Sequence, residues 1–499
     1  MTSPPSTKKP PAEASPKSAN SPHKYYKPYK SYKSYNTYKT YSRTKTLVKK
    51  RKNIFTNVLT MNKHLTSALA IALIACSSAQ ARNSRQAHVD SLKSSHKVII
   101  IDGDRSSRPS EDSIARMMKV FYEDQFRLAT EPAAPQFMFM TRNTNFAMGI
   151  GGAVKLRAWY DWHGALPGVS FTPYQIPMHP DQTDMRALGV TPSGTQLYLK
   201  AAGRSERLGT YTLYIEGEFS GYNDVGFKLN KAYATLNDWT VGLASTTFSD
   251  PAALPPTVDA AGPNNKIDAA AVLVRYMHTW KDHWSIAASI ENPAKLKIAG
   301  EENQSKLVRQ WVPDFGVFAQ YQWGQDGLQH IRLSATTREM SYRNLIEGKN
   351  HHTVAWGLQL STIFNPIRPL TVFATVNGGR GIASLGGDLM LNNYDMVSDP
   401  DEPGTLYAPY VLGYMVGLQY YFTPKISAST AWGQARYYPR KHAVGQDEYR
   451  YGVYGSANIF YNITPRVQVG VGYNVGKRQD FSRDSRTAHR LGLLAAFAF

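Results

Sequence analysis

Cysteine occurs once in the 499 residues, at Cys76, which excludes a disulfide framework and any Cys-rich zinc or iron–sulfur site. Long apolar runs are missing too. No stretch approaches the roughly 18 unbroken apolar residues of a membrane-spanning helix, so a helical membrane protein is excluded. Yet the chain is 42% hydrophobic and 12% aromatic, too apolar for a mostly disordered protein. Acidic residues are scarce at one end, where the first 60 residues hold fourteen Lys/Arg against the single acid Glu13.

That imbalance accounts for most of the formal charge of +20. Length alone suggests about three soluble domains, and charge alone a nucleic-acid or anionic-membrane partner. Residues 1–60, rich in Pro, Ser, Lys and Tyr as in Lys24 to Tyr41, have no apolar periodicity from which a core could form. They read as a disordered basic leader, and Met61 as a second start. Lys63 and His64 precede the apolar run Leu65 to Ala75 and the small-residue end Ala79-Gln80-Ala81. This is the pattern of a signal peptide over 61–81, cleaved after Ala81. Leu73-Ile74-Ala75-Cys76 also fits a lipoprotein cleavage box. Without residues 1–81 there remain 42 basic and 36 acidic residues, a net +6, and the case for nucleic acid lapses.

Residues 82–144 lack barrel-like alternation. The β-branched run Val98 to Ile101 is followed by Ser110-Glu111-Asp112, a helix cap with acids in the first turn, which predicts a short helix over about 113–128 in a periplasmic segment.

Beyond Asn145 a two-residue period takes over. From Tyr410 to Phe422 the even positions are Tyr, Leu, Tyr, Val, Leu, Tyr and Phe, while Gly413, Gly417 and Gln419 lie between them. Val467 to Val475 and Leu491 to Phe499 repeat the pattern. Strands of nine to eleven residues or more, with one face apolar and aromatics at their ends, suit a bilayer crossed at a tilt. Tight polar turns are expected near 204–206, 237–238, 281–282, 325–327, 365–366, 423–425 and 464–466, several flanked by Trp, Tyr or Phe. Seven turns join fourteen strands. A first strand at about 148–161 and a last at about 489–499 bring the number to about sixteen, and an open edge in lipid would leave backbone groups unpaired. The expected fold is therefore all-β: a closed antiparallel transmembrane β-barrel over 145–499.

At these residues the sequence resembles a family. The signal peptide, about sixteen strands and the C-terminal Phe499 resemble a Gram-negative outer-membrane porin. Lys231-Ala232-Tyr233-Ala234, Val241-Gly242-Leu243, the stretch Thr247 to Asp259, and Gly262-Pro263-Asn264 are similar to the DcaP-like trimeric porins. The resemblance implies a homotrimer in the lipid bilayer and lipopolysaccharide of the outer membrane, inserted by the barrel-assembly machinery through Phe499. It also implies passive uptake of small, often anionic solutes.

In general porins the loop between the fifth and sixth strands resembles the one folded inward to form the constriction. Here that loop is 249–268, carrying Asp250, Asp259 and Asp268 among stiffening prolines. A transverse field across a narrow pore requires a basic wall opposite. Lys155, Arg157, Lys200, Lys228, Arg275, Arg332, Arg450 and Arg490 each alternate with apolar neighbours, and on the hydrocarbon face such a charge would cost about 2–4 kcal/mol at the midplane. They are expected to face the lumen, no more than half of them lining the constriction while others pair with wall acids. The acids on that face are Asp161, Glu216, Glu218, Glu291 and Asp314, and eight bases against five acids predict a modest preference for anions. Lys231 falls on the apolar face of its strand.

Enzymatic and cofactor readings find little support. Gly149 to Gly152 lacks the Lys-Ser/Thr of a phosphate loop and sits in an expected strand. His351-His352, in an expected loop, has no third ligand at helical spacing, so no metal or cofactor is expected. A second reading is a surface-exposed structural or adhesion barrel, its lumen plugged and its long loops at 170–195 and 379–408 the functional part.

Overall fold

The computed structural model describes residues 97–101, 135–141, 145–219, 226–300, 302–324 and 328–499. The leader, the signal segment with Cys76 and Ala81, the helix expected at 113–128 and the turn at 325–327 lie outside the described residues.

Sixteen strands form the barrel. In chain order they are β1 (Phe146–Trp162), β2 (Arg186–Thr191 continued by Thr195–Ser205), β3 (Gly209–Phe219), β4 (Phe227–Leu236), β5 (Trp239–Ser245), β6 (Ala270–Trp280), β7 (Trp284–Glu291) and β8 (Asp314–Trp323). The second half comprises β9 (Gln329–Asn344), β10 (Lys349–Ile367), β11 (Leu370–Arg380), β12 (Tyr410–Tyr421), β13 (Ile426–Tyr438), β14 (Tyr449–Thr464), β15 (Val467–Asp480) and β16 (Ser485–Ala498). Each pairs antiparallel with the next, and β16 pairs with β1 from His489↔Trp162 to Ala498↔Ala153. The ring is closed and leaves no barrel edge for another chain. Phe499 completes the seam by exchanging two backbone hydrogen bonds with Gly152, each 3.0 Å.

The two-residue period translates directly into burial. Leu412, Tyr414, Val416, Leu418, Val471, Tyr473, Leu491 and Leu493 point outward, and Gly413, Met415, Gly417, Gly470, Gly472 and Asn474 point inward. The exposed residues form an apolar belt around the whole barrel, from Val154 and Leu156 on β1 to Phe497 on β16. Such a surface would aggregate in water and is matched by hydrocarbon.

Short turns collect at one end. Asn237, Lys281 and Asp282 turn the chain with positive φ, which Asn and Asp tolerate, and Trp239, Trp280 and Trp284 stand exposed beside them as an interfacial girdle. The turn between β10 and β11 falls at 368–369. Asn365-Pro366, where the sequence suggested it, is a β-bulge inside β10, because a bulge disposes of a proline's missing N–H as well as a turn does. His351 and His352 likewise lie in β10, pairing with Tyr342 and Ser341 of β9; the hairpin turn is only 345–348.

Longer connections occupy the other end: 163–185, 246–269, 292–313, 381–409 and 439–448. The expected long loop at 170–195 ends earlier, because Arg186 already begins β2. Ile298–Ala299, Met396–Ser398 and Leu406–Tyr407 tie two of these loops into a small three-stranded sheet. Before the barrel, Lys97–Ile101 pairs parallel with Phe137–Thr141, which pairs antiparallel with the start of β1. Two short strands thus extend the barrel sheet where the sequence showed only a helix cap and a β-branched run.

Candidate functional site

The connection 246–269 between the fifth and sixth strands has its partners on the far wall. It starts at Glu291 of β7, whose carboxylate accepts bonds from the Thr246 hydroxyl (2.5 Å) and the Thr247 N–H (2.8 Å). Gln359 of β10 donates to the Phe248 carbonyl at 3.2 Å. Further along, the Ser429 hydroxyl of β13 donates to the Pro256 carbonyl (2.6 Å), and the Val258 N–H to the Asn458 Oδ1 of β14 (3.1 Å). Asn264 donates to the Gly452 carbonyl (2.9 Å), and Asn377 of β11 to the Asn265 carbonyl (2.8 Å). The segment therefore lies across the inside of the barrel against β9–β16.

Inward glycines make this possible. A Cβ on Gly417 would sit 2.6 Å from Pro255, and one on Gly472 2.8 Å from Val258. These are the small residues that alternate with the apolar face in sequence, and their lack of a side chain leaves the width in which the loop rests.

Two of the loop's three carboxylates are anchors. Asp250, 4% exposed, lies within 2.9 Å of His330 Nε2 and 3.5 Å of Arg332 Nη1 and accepts the Ser361 hydroxyl. Burial alone would raise its pKa, but the charge of Arg332 and the His330 ring hold it well below the usual carboxylate range. Ser361 and His330 share one oxygen of Asp250 instead of bonding each other, so no nucleophile–base pair is formed. Asp259, 7% exposed, accepts the N–H groups of Phe171 (2.8 Å) and Gly262 (2.9 Å), and burial pushes its pKa up against these donors and Arg490. Asp268 is exposed and pairs with Lys266 at 2.9 Å.

The eight bases divide by burial. Arg490 forms a bidentate pair with Asp161 across the β16–β1 seam (2.6 and 2.8 Å) and holds the Gly168 and Val169 carbonyls. Arg332 binds Gln320 and the Ser249 carbonyl. Arg275 reaches the Ser245 carbonyl at 3.2 Å, and Lys200 is buried on β2. Arg450 stands at a β-bulge between Tyr449 and Tyr451. Lys155 and Arg157 of β1 are half-buried and Lys228 of β4 is exposed, and the Lys155 ammonium donates to Gln196 Oε1 at 2.9 Å. Arg157 donates to the Ser193 carbonyl at 3.0 Å and to the Val258 carbonyl at 3.4 Å. Between Arg157 and Leu254, Pro255, Thr257, Asp259 and Lys266 is a cleft of about 60 Å³.

The wall acids are partnered as well. Glu216 takes the Tyr214 hydroxyl (2.6 Å) and lies 3.9 Å from Lys231; Glu218 accepts from Asn230, and Asp314 pairs with Arg338 at 3.2 Å. Lys231 faces inward because the β3–β4 register shifts between Glu216 and Gly217, where Asn230 has no opposite number. Strict alternation put it on the lipid face; one bulge reverses that. Arg338 and Arg478 escaped the sequence reading. Arg338 joins Asp314, Asp395 and the Gly381 and Ala294 carbonyls, tying two loops together. Arg478, inward opposite Gly452, binds Asp480 and the Tyr174 carbonyl. Both alternate with residues too mixed to mark a face.

A closed sixteen-strand barrel with an apolar belt and a loop laid across its lumen has the fold of an outer-membrane channel. The crystal structure of the outer membrane channel DcaP of Acinetobacter baumannii shares it, at a TM-score of 0.59 and 18% identity, over 71% of this chain and 98% of that one. Also similar are the anion-selective porin from Comamonas acidovorans (TM-score 0.44, 13% identity, 70% of this chain and 100% of that one) and a loop-deletion mutant of OmpT of Vibrio cholerae (TM-score 0.45, 10% identity, 71% and 100%). No family model and no curated protein matches the chain.

Proposed function

We propose that the chain is a porin: a water-filled channel for passive diffusion of small hydrophilic solutes across the outer membrane of a Gram-negative bacterium, with a modest preference for anions such as carboxylates. The observation that carries this reading is the loop 246–269 bonded along β9–β16. It leaves the passage between itself and the β1–β4 wall. There Arg157 faces the loop, with Lys266 on the loop itself, and Lys155 and Lys228 stand on the same wall. Of the three loop acids only Asp268 is exposed, and Lys266 offsets it. A net positive charge along a narrow, low-dielectric passage raises the local anion concentration.

The resemblance to DcaP-like porins supports a homotrimer, and the position of Phe499 at the closing seam supports its role as the signal read by the barrel-assembly machinery. No catalytic step is assigned. Salt-gradient reversal potentials in planar bilayers test the selectivity: wild type favours anions, and Arg157→Glu with Lys266→Glu shifts the preference several-fold toward cations. A wild-type channel that prefers cations would refute the basic-wall reading.

A further inference from the structure

Two arginines break the outward apolar belt at the loop-bearing end. Arg380 is the last residue of β11, level with Trp356 of β10 and Tyr410 of β12. Arg436 on β13 is level with Leu412 of β12 and Tyr451 of β14. Trp356, Tyr410 and Leu412 are all exposed on the outer surface, so register places both guanidiniums on that surface too. Arg436 lies over the rings of Tyr438 (5.0 Å) and Tyr451 (5.5 Å). Among the described residues neither arginine has a carboxylate within ion-pairing distance, and the Nε of each has no hydrogen-bond partner.

These two cations contrast with Arg332, Arg338, Arg478 and Arg490, each of which is matched to a carboxylate inside the barrel. An outward Arg costs about 2–4 kcal/mol at the midplane and about 0–1 near the interface, and the aromatic collar around them marks the interface. Long loops mark the external side of outer-membrane barrels. Strand spacing puts the two Cα atoms about 12 Å apart, with Tyr410 and Leu412 of β12 between them on the outer face.

We propose that Arg380 and Arg436 form a binding site for the phosphates of a phosphorylated glycolipid of the outer leaflet, one arginine to each of two phosphates. Trp356, Tyr410, Tyr438 and Tyr451 pack against its sugar and upper acyl region. Guanidinium matches phosphate bidentately, and the stacked tyrosines hold Arg436 extended in place. The site rests on the membrane reading above and lies outside the lumen.

The test compares binding of deep-rough lipopolysaccharide and its phosphatase-treated form to the detergent-solubilised full-length protein, wild type against Arg380→Gln/Arg436→Gln. Wild type should bind the phosphorylated form at least tenfold more tightly, and the double variant should lose that preference while keeping its conductance. Retention of the preference by the double variant overturns the proposal. So does loss of self-association with lipid binding unchanged, which would make this face a protein–protein contact. A wild type without conductance that still prefers the phosphorylated lipid would refute the channel reading and leave this site standing.

Discussion

Asp388 shows how a single buried carboxyl ties the loops to the wall. It accepts from the Tyr449 hydroxyl (2.7 Å) and from Asn264 (3.1 Å), joining loops 381–409 and 246–269 to β14. With no cation against it among the described residues, burial pushes its pKa up to about 7, opposed by the Tyr449 and Asn264 bonds and raised further by Asp259. An acid whose folded pKa is raised contributes its stability in full below its unfolded value near 3.9 and loses it as pH rises through about 7. Thermal unfolding in detergent between pH 4 and 8 should show a midpoint that declines as pH rises, and Asp388→Asn should flatten that decline. An equal slope in both proteins would remove Asp388 from the account. Neither Asp388 nor its role was legible in the sequence, because the groups that bury it come from three distant segments.

At the scale of elements, the strands were legible wherever a long two-residue period met a continuous apolar face, as in Tyr410–Tyr421 and Val467–Asp480. What escaped was every place where one residue shifts the phase. The Asn230 bulge turned Lys231 inward, the bulge before Ile367 displaced a turn, and the one at Arg450 took that side chain out of simple alternation. A period of two carries no warning of such a shift. The loop between the fifth and sixth strands was legible from its place in the order, and its bed of glycines from their alternation. Its carboxylates were not: sequence shows an acid's charge but not the Phe171 N–H or the His330 ring that will claim it. Gly472→Val tests the bed, since even a Cβ there would meet Val258 at 2.8 Å. The variant should displace 254–260 and change single-channel conductance by a factor of two or more without unfolding the barrel. Unchanged conductance would mean that this stretch does not narrow the passage.

For the whole molecule, composition misled and distribution corrected it. The charge of +20 belongs mostly to residues 1–60, and among the described residues the stretch from Phe146 to Ala498 builds one closed barrel. Much of the inward charge holds that barrel together: Arg490 with Asp161 fastens the seam, while Arg332 with Asp250 and Arg338 with Asp395 fasten the loops. A buried pair of this kind is costly to break, about 3–5 kcal/mol when one partner is removed, so these residues serve architecture. The most direct test of the account is single-channel recording of the purified full-length protein in planar lipid bilayers. The channel reading predicts stepwise, ohmic openings that persist at low voltage. A reconstituted, correctly folded barrel without measurable conductance would contradict it and favour a plugged, structural barrel.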